Sequence, residues 1–113
     1  MNTSRKGSAF ERKVVADLEG QGWLVTRASN SKGVADVWAV RSGSVVLVEA
    51  KSNGRCDPEQ WNHLFANASE VGAIPLLAEP VDRRRERGAG PVRYWRLTGT
   101  KDGSGKRQPR EPW

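Results

Sequence analysis

The chain has one cysteine, Cys56, and one histidine, His63, among its 113 residues. An internal disulfide is therefore excluded, and so is a zinc centre built from the Cys and His of one chain. Nothing near Cys56 in sequence would lower its pKa, so the thiol reads as structural and not as a nucleophile. Long apolar runs are missing as well. No stretch approaches the roughly 20 apolar residues of a membrane span. The opening residues, MNTSRKGSAFERK, lack the apolar core of a signal peptide. The expectation is a cytoplasmic protein without a membrane partner, a virus-encoded one acting in the host cytoplasm included. Internal repeats are absent. With 36% hydrophobic and 28% charged residues, the composition is that of one folded domain with a modest core.

Acidic residues are scarce in one region. Residues 83–113 hold ten Arg or Lys against three Asp or Glu, whereas residues 1–82 hold nine against ten. The net charge of +6 is thus supplied by the C-terminal part. Such a surplus points to a polyanionic partner, most simply nucleic acid. The competing reading is a solvated, solubilising charge run.

What the sequence does contain is organised around residues 34–52, VADVWAVRSGSVVLVEAKS. Two β-branched runs, Val34 to Val40 and Val45 to Ala50, flank a short turn with a glycine, which is a hairpin signal. A two-residue loop at Ser42-Gly43 sets Val40 opposite Val45, Trp38 opposite Leu47 and Asp36 opposite Glu49. Glu49 and Lys51 then share a face, because strand side chains alternate. Two carboxylates side by side among apolar residues repel each other and lose hydration. A hard divalent cation removes that cost. A solvated sheet end that binds nothing is the alternative.

Asp36 followed by Glu49-x-Lys51 resembles the D…ExK core of the PD-(D/E)xK nucleases. Arg5-Lys6-Gly7, Glu11-Arg12, Gly22, Arg27, Ser31 and the run from Gly72 to Ala78 also fall where archaeal and viral Holliday junction resolvases carry similar residues. The resemblance covers about residues 4–97. It departs in a longer gap between Ser31 and Asp36, in an arginine-rich insert before the last strand, and in the tail. The resemblance implies a restriction-endonuclease-like α/β fold, with a central mixed sheet flanked by helices in the order αβββαββ. It implies Mg²⁺, with Mn²⁺ able to substitute, held by Asp36, Glu49 and the Ala50 carbonyl. Lys51 would orient or help deprotonate the attacking water. Branched DNA, most simply a four-way junction, is the implied substrate, and no nucleotide cofactor is called for. A homodimer is expected, because resolution needs two opposed nicks and one chain carries one site. Trp95 and the last strand are possible contributors to its interface, and burial within the monomer explains them equally well.

The remaining candidates sit along the chain in order. Residues 1–7 read as a polar, mobile lead-in, with Arg5 and Lys6 as phosphate contacts. A helix is expected from about Ser8 to Gly20, since Phe10, Val14 and Leu18 recur every four residues. Glu11 falls inside that stripe. It fits a capping box with Ser8, and through the resemblance it fits a fourth active-site group, bound to the metal directly or through water. Arg12 faces outward. Trp23 to Arg27 reads as a strand, followed by a polar loop whose Ser31 and Lys32 could meet a phosphate; an ordinary turn has the same composition.

Asp57-Pro58-Glu59-Gln60 is a helix start. Gln60 is either a capping residue or, by resemblance, part of the site. Trp61, Leu64, Phe65, Ala68 and Val71 form that helix's apolar face, which leaves His63 on the far side. Ile74 to Ala78 reads as a strand parallel to its predecessor. Arg83, Arg84, Arg85 and Arg87 mark an exposed loop, and Val92 to Leu97 a final strand. These arginines, with Arg12, Arg27 and Lys32, are candidate phosphate contacts, which position DNA without reading its sequence. The chain divides into a nuclease domain over 1–97 and a basic, flexible tail over 98–113. Three rivals stay open: a nuclease of the same fold for flaps, ends or damaged duplex, a non-catalytic DNA-binding recombination accessory module, and an RNA-directed nuclease.

Overall fold

The computed structural model describes residues 3–28, 35–103 and 108–113; the side chains of residues 3–6 fall outside that set. Two helices sandwich a six-stranded sheet in chain order: α1 (Thr3–Gly20), β1 (Leu24–Arg27), β2 (Val37–Arg41), β3 (Ser44–Ala50), α2 (Pro58–Val71), β4 (Ile74–Pro80), β5 (Val92–Leu97) and β6 (Arg110–Pro112). Among the described residues strand order in the sheet equals chain order, and only the β3–β4 pair is parallel. That pair is joined through α2, the connection a parallel pair requires.

The β2–β3 turn follows the sequence. Arg41 pairs with Ser44, Val40 with Val45 and Trp38 with Leu47. Ser42 and Gly43 take φ values of 50° and 81°, the left-handed pair of a two-residue hairpin turn. Alternation then divides the sheet into two faces. Val37, Ala39, Val46, Val48, Leu76 and Ala78 meet Phe10, Val14 and Leu18 of α1 in one core. Leu47, Leu77 and Leu97 meet Trp61, Leu64 and Ala68 of α2 in the other. Burying each large side chain contributes about 1.5–3 kcal/mol, so both helices are held chiefly by these stripes. Asp57 caps α2 by accepting from the Gln60 backbone N–H at 2.8 Å, and Gly72 ends it by donating to the Ala68 carbonyl.

Four differences from the sequence expectations carry consequences. First, α1 begins at Thr3 and not near Ser8, so Thr3–Gly7 belong to the helix. Once the packed Phe10–Leu18 segment is helical, each further residue adds one hydrogen bond at little cost. Ser8 is then interior to the helix, and the capping box does not exist. Second, the β2–β3 ladder ends at Val37↔Val48. Asp36 lies one step beyond it, and its connection to β3 is made by its side chain. Third, Val71 is 70% exposed, although helical spacing put it on the apolar face. Fourth, Arg110–Pro112 forms a strand antiparallel to β5, in a segment to which the sequence assigned no structure. The element order is therefore αβββαβββ. The Trp113 ring lies 5.9 Å from that of Trp23 and 5.5 Å from that of Tyr94.

Candidate active site

The site forms at the sheet edge where β3 and β4 end together. Asp36 ties three strands there. Its carbonyl accepts from the Ala28 N–H at 2.9 Å, just past β1. Its Oδ2 accepts from the Ala50 N–H at 2.9 Å, in the last residue of β3. The carboxylate is thereby fixed beside the Glu49-Ala50-Lys51 strand end. Lys51 Nζ stands 3.6 Å from Glu49 Oε2, and the Lys51 N–H donates to the Ala78 carbonyl at 2.9 Å. The shared face expected for Glu49 and Lys51 is present.

Electrostatics at this edge are uneven. Only 12% of the Glu49 side chain is exposed. Burial first, and then the charge of Asp36, push its carboxyl up to about 7, while Lys51 pulls the other way and Glu11 adds a smaller push. An acid raised mainly by burial, with a second carboxylate adding to the shift, is a functional-site candidate, and a cation would relieve both costs.

Glu11 comes to the same region from α1, but its nearest partner is basic. Arg27 Nη2 donates to Glu11 Oε1 at 3.2 Å and to Ser8 Oγ at 3.1 Å. Both Ser8 and Arg27 are thus engaged with α1, Ser8 in a role different from the cap. Among the described residues no three His, Cys, Asp or Glu side chains converge as a metal cluster. The ligands expected from the sequence are instead two carboxylates, Asp36 and Glu49, with the backbone carbonyl of Ala50. All are hard oxygens, which suits a small divalent cation that keeps several waters.

The other candidates are dispersed. Arg12 and Gln60 are exposed, and Gln60 meets Asp57 through its backbone N–H. Ser31 and Lys32 lie outside the described residues, as do the side chains of Arg5 and Lys6. His63 is exposed, and Cys56 is buried with its thiol pushed up to about 11, by burial above all. Arg83, Arg84, Arg85 and Arg87 are exposed on the β4–β5 connection. This loop leaves the sheet at the edge that carries Glu49, because Ala50 and Ala78 are parallel partners. Ion pairs from Arg85 to Asp82 and from Arg93 to Glu86 brace it.

Two supports of the edge had no signal in the sequence. Gly54 (φ 72°) sits so close to Glu79 that an added Cβ would lie 2.6 Å from Glu79 Oε2. Glu79 is itself held by the Trp95 indole N–H at 2.9 Å. The loop after Lys51 is therefore seated against β4. Lys101, from beyond β5, meets the same loop by donating to the Cys56 carbonyl at 2.8 Å.

A family model for archaeal Holliday junction resolvases (Hjc) matches residues 2–97. The chain belongs to this family. It is 37% identical over 78 residues to the crossover junction endodeoxyribonuclease Hjc of Methanocaldococcus jannaschii, covering 66% of this chain and 58% of that protein. It is 44% identical over 84 residues to the Hjc of Sulfolobus acidocaldarius, covering 70% and 55%. The chain thus matches little more than half the length of these curated relatives. The solved structure of Archaeoglobus fulgidus Hjc, a Holliday junction resolvase from an archaeal hyperthermophile, superposes with a TM-score of 0.64 at 19% identity, covering 84% of this chain and 80% of that one. That likeness establishes the restriction-endonuclease-like fold. The match to the family model stops at residue 97, short of Lys101 and β6.

Proposed function

We propose that the protein is a divalent-metal-dependent endonuclease that cleaves branched DNA, with the four-way junction as its substrate. One observation supports this above the others. Asp36 is hydrogen-bonded to the strand end that carries Glu49 and Lys51, in a chain that belongs to the Hjc family.

Asp36, Glu49 and the Ala50 carbonyl would hold the cation, which we assign as Mg²⁺ with Mn²⁺ as a substitute. When bound it would supply Lewis acidity at the scissile phosphate and ease deprotonation of water. Lys51, beside Glu49, would orient the attacking water or take part in its deprotonation, and would offset charge on the phosphate. Glu11 and its partner Arg27 would border the site, with Glu11 joining through water. Ser31 and Gln60 are kept as active-site candidates on the strength of the family resemblance. Arg5, Lys6, Arg12, Arg27, Lys32 and the four arginines of the β4–β5 loop would bind phosphates. These contacts position the duplex and carry no base information. The nuclease unit would span 1–97, with 98–113 as a basic extension. The enzyme would act in the cytoplasm; no helix among the described residues is long and apolar enough to cross a membrane.

We further propose a homodimer, assembled through the part of the α2-side face that α2 leaves bare. Trp38 and Val40 are each 45% exposed there and Leu24 is 78% exposed. Trp38, Val45, Leu47, Asn67 and Val71 line an adjoining apolar groove. Exposed aromatic and aliphatic groups of this kind mark an interaction surface. A second copy is the fitting occupant, because a junction has near two-fold symmetry and needs two nicks. Trp95 is not part of this surface: it is half-buried, bonded to Glu79 and covered by Arg110 at 4.2 Å.

The decisive experiment incubates the protein with a labelled four-way junction, a linear duplex and a flap, with and without Mg²⁺. Paired, Mg²⁺-dependent nicks in the junction are expected. Preferential cutting of the flap or the duplex would transfer the substrate to another DNA structure. No cutting of any of them would end the nuclease reading.

A further inference from the structure

The segment after β5 is bonded to α2 and to the loop before it. The Gly99 carbonyl accepts from the Trp61 indole N–H at 2.9 Å. Asn62 bonds the Lys101 backbone at both groups, donating to its carbonyl at 3.0 Å and accepting from its N–H at 2.7 Å. Lys101 Nζ donates to the Cys56 carbonyl at 2.8 Å and stands 5.0 Å from the centre of the Trp61 ring. Lys101 thereby joins the loop after β3, the first turn of α2 and the segment after β5.

That loop begins at Lys51. It is seated on one side against Glu79, whose carboxylate a Cβ at Gly54 would have to displace, and held at its far end by Lys101. The Gly54 N–H donates to the Lys51 carbonyl at 2.9 Å, so the loop folds back on the residue that begins it and adjoins the site. A charged donor on a part-buried carbonyl is among the stronger single hydrogen bonds a protein makes.

We infer that Lys101 is a positioning residue of the nuclease site: by binding the Cys56 carbonyl it holds the loop over residues 52–57, and with it the placement of Lys51 beside Glu49. The inference rests on the nuclease reading above. It assigns a role to a residue beyond the stretch that the Hjc family model matches.

Cys56 is the chain's sole cysteine and is buried, so its rate of reaction with a thiol reagent such as DTNB reports opening of this loop. The test uses the full chain with Lys101→Met, which keeps the aliphatic stem on Trp61 and removes the donor, and Lys101→Arg, which restores a charged donor. We expect DTNB labelling about tenfold faster in Lys101→Met, the size given by removal of one charged hydrogen bond. The missing charge alone would act the other way, since the ammonium lowers the thiol pKa; faster labelling therefore reports opening. Single-turnover junction cleavage should fall about tenfold for the same reason, with Kd for the junction unchanged, and Lys101→Arg should restore both rates. Should Lys101→Met fail to fold, Lys101→Gln is read by the same measurements.

Unchanged labelling would overturn the loop-holding role. Faster labelling with an unchanged cleavage rate would overturn the link to the site. A weakened Kd with an unchanged cleavage rate would make Lys101 a DNA contact instead. If the wild-type chain cuts no DNA, the nuclease reading fails by itself, and the labelling result still decides whether Lys101 holds the loop.

Discussion

Asp36 Oδ2 accepts a hydrogen bond from the Ala50 backbone N–H at 2.9 Å. The bond does at the end of the β2–β3 ladder what a further backbone pair would have done. It commits one carboxylate oxygen to registering Asp36 against the strand that carries Glu49. A carboxylate accepting a backbone donor is a strong, directional contact, so Asp36 is set beside Glu49 before any cation arrives.

Asparagine at 36 or glutamine at 49 keeps the shape and removes the charge. Each substitution is expected to reduce junction cleavage below detection in Mg²⁺ and to leave junction affinity nearly intact. In the proposed reading affinity would come mainly from phosphate contacts by basic groups, whereas the acids would serve the chemical step. Gel-shift and cleavage assays on the same preparations separate the two, and Mg²⁺-dependent cutting by both variants would remove these residues from the site.

The raised carboxyl of Glu49 gives a pH signature in metal-free protein. Its folded pKa, about 7, lies above the ordinary value of 4.5. Folded and unfolded chains both hold the proton below the lower value. Between the two values the unfolded chain releases it first, so stability falls as pH rises from 4.5, and the loss is complete above about 7. Thermal unfolding in a chelator should show this decline. Glu49→Gln should flatten it, and Mg²⁺ should raise Tm more at about pH 7.5 than at about pH 5, where the proton competes with the cation. Equal Mg²⁺ stabilisation at both pH values would argue against a cation at Glu49.

The four exposed arginines of the β4–β5 loop should strengthen DNA binding without selecting sequence. Alanine at 83, 84, 85 and 87 together is expected to weaken junction binding at physiological salt. The slope of log K against log salt should flatten by about 0.9 for each phosphate that the variant no longer neutralises. An unaltered slope would mean that the loop faces water throughout.

Residues 110–113 are expected to stabilise the fold. β6 pairs with β5, and Trp113 packs on Trp23 and Tyr94. An aromatic pair contributes about 0.5–1.5 kcal/mol beyond its area, so Trp113→Ala should lower stability by about 1–3 kcal/mol from the two pairs together. Chemical denaturation would read this directly. Stability equal to wild type would mean that Trp113 spends its time in solvent.

Trp38→Asp is expected to convert a dimer to a monomer by placing a charge at the bare apolar face, and light scattering at micromolar concentration reports it. Mixed wild-type and Glu49→Gln chains should yield singly nicked junctions. Paired, symmetric cuts by a protein that stays monomeric on DNA would refute the dimer.

How much of this was legible without coordinates depends on how local the signal is. The Ser42-Gly43 turn and the alternating valines set the β2–β3 register, because one wrong step would send every apolar residue to the wrong face. Asp57-Pro58 and Gly72 bounded α2 for an equally local reason: each end satisfies its own backbone groups. The D…ExK spacing followed from these elements, and the Hjc family was recognisable from residues along the whole matched stretch. Partners far apart in the chain were decided by tertiary structure alone. Glu11 meets Arg27 and not a Ser8 cap, because α1 starts earlier than its apolar stripe and crosses β1. The exposure of Val71 was not legible, because helical phase does not reveal where the sheet beneath α2 ends. Lys101 and Trp113 sit in a polar, glycine- and proline-rich segment without periodicity, so composition described them as a tail. Their order comes from Asn62, Cys56, Trp23 and Tyr94, none of them a near neighbour in the chain, and such partners meet only once the sheet has assembled.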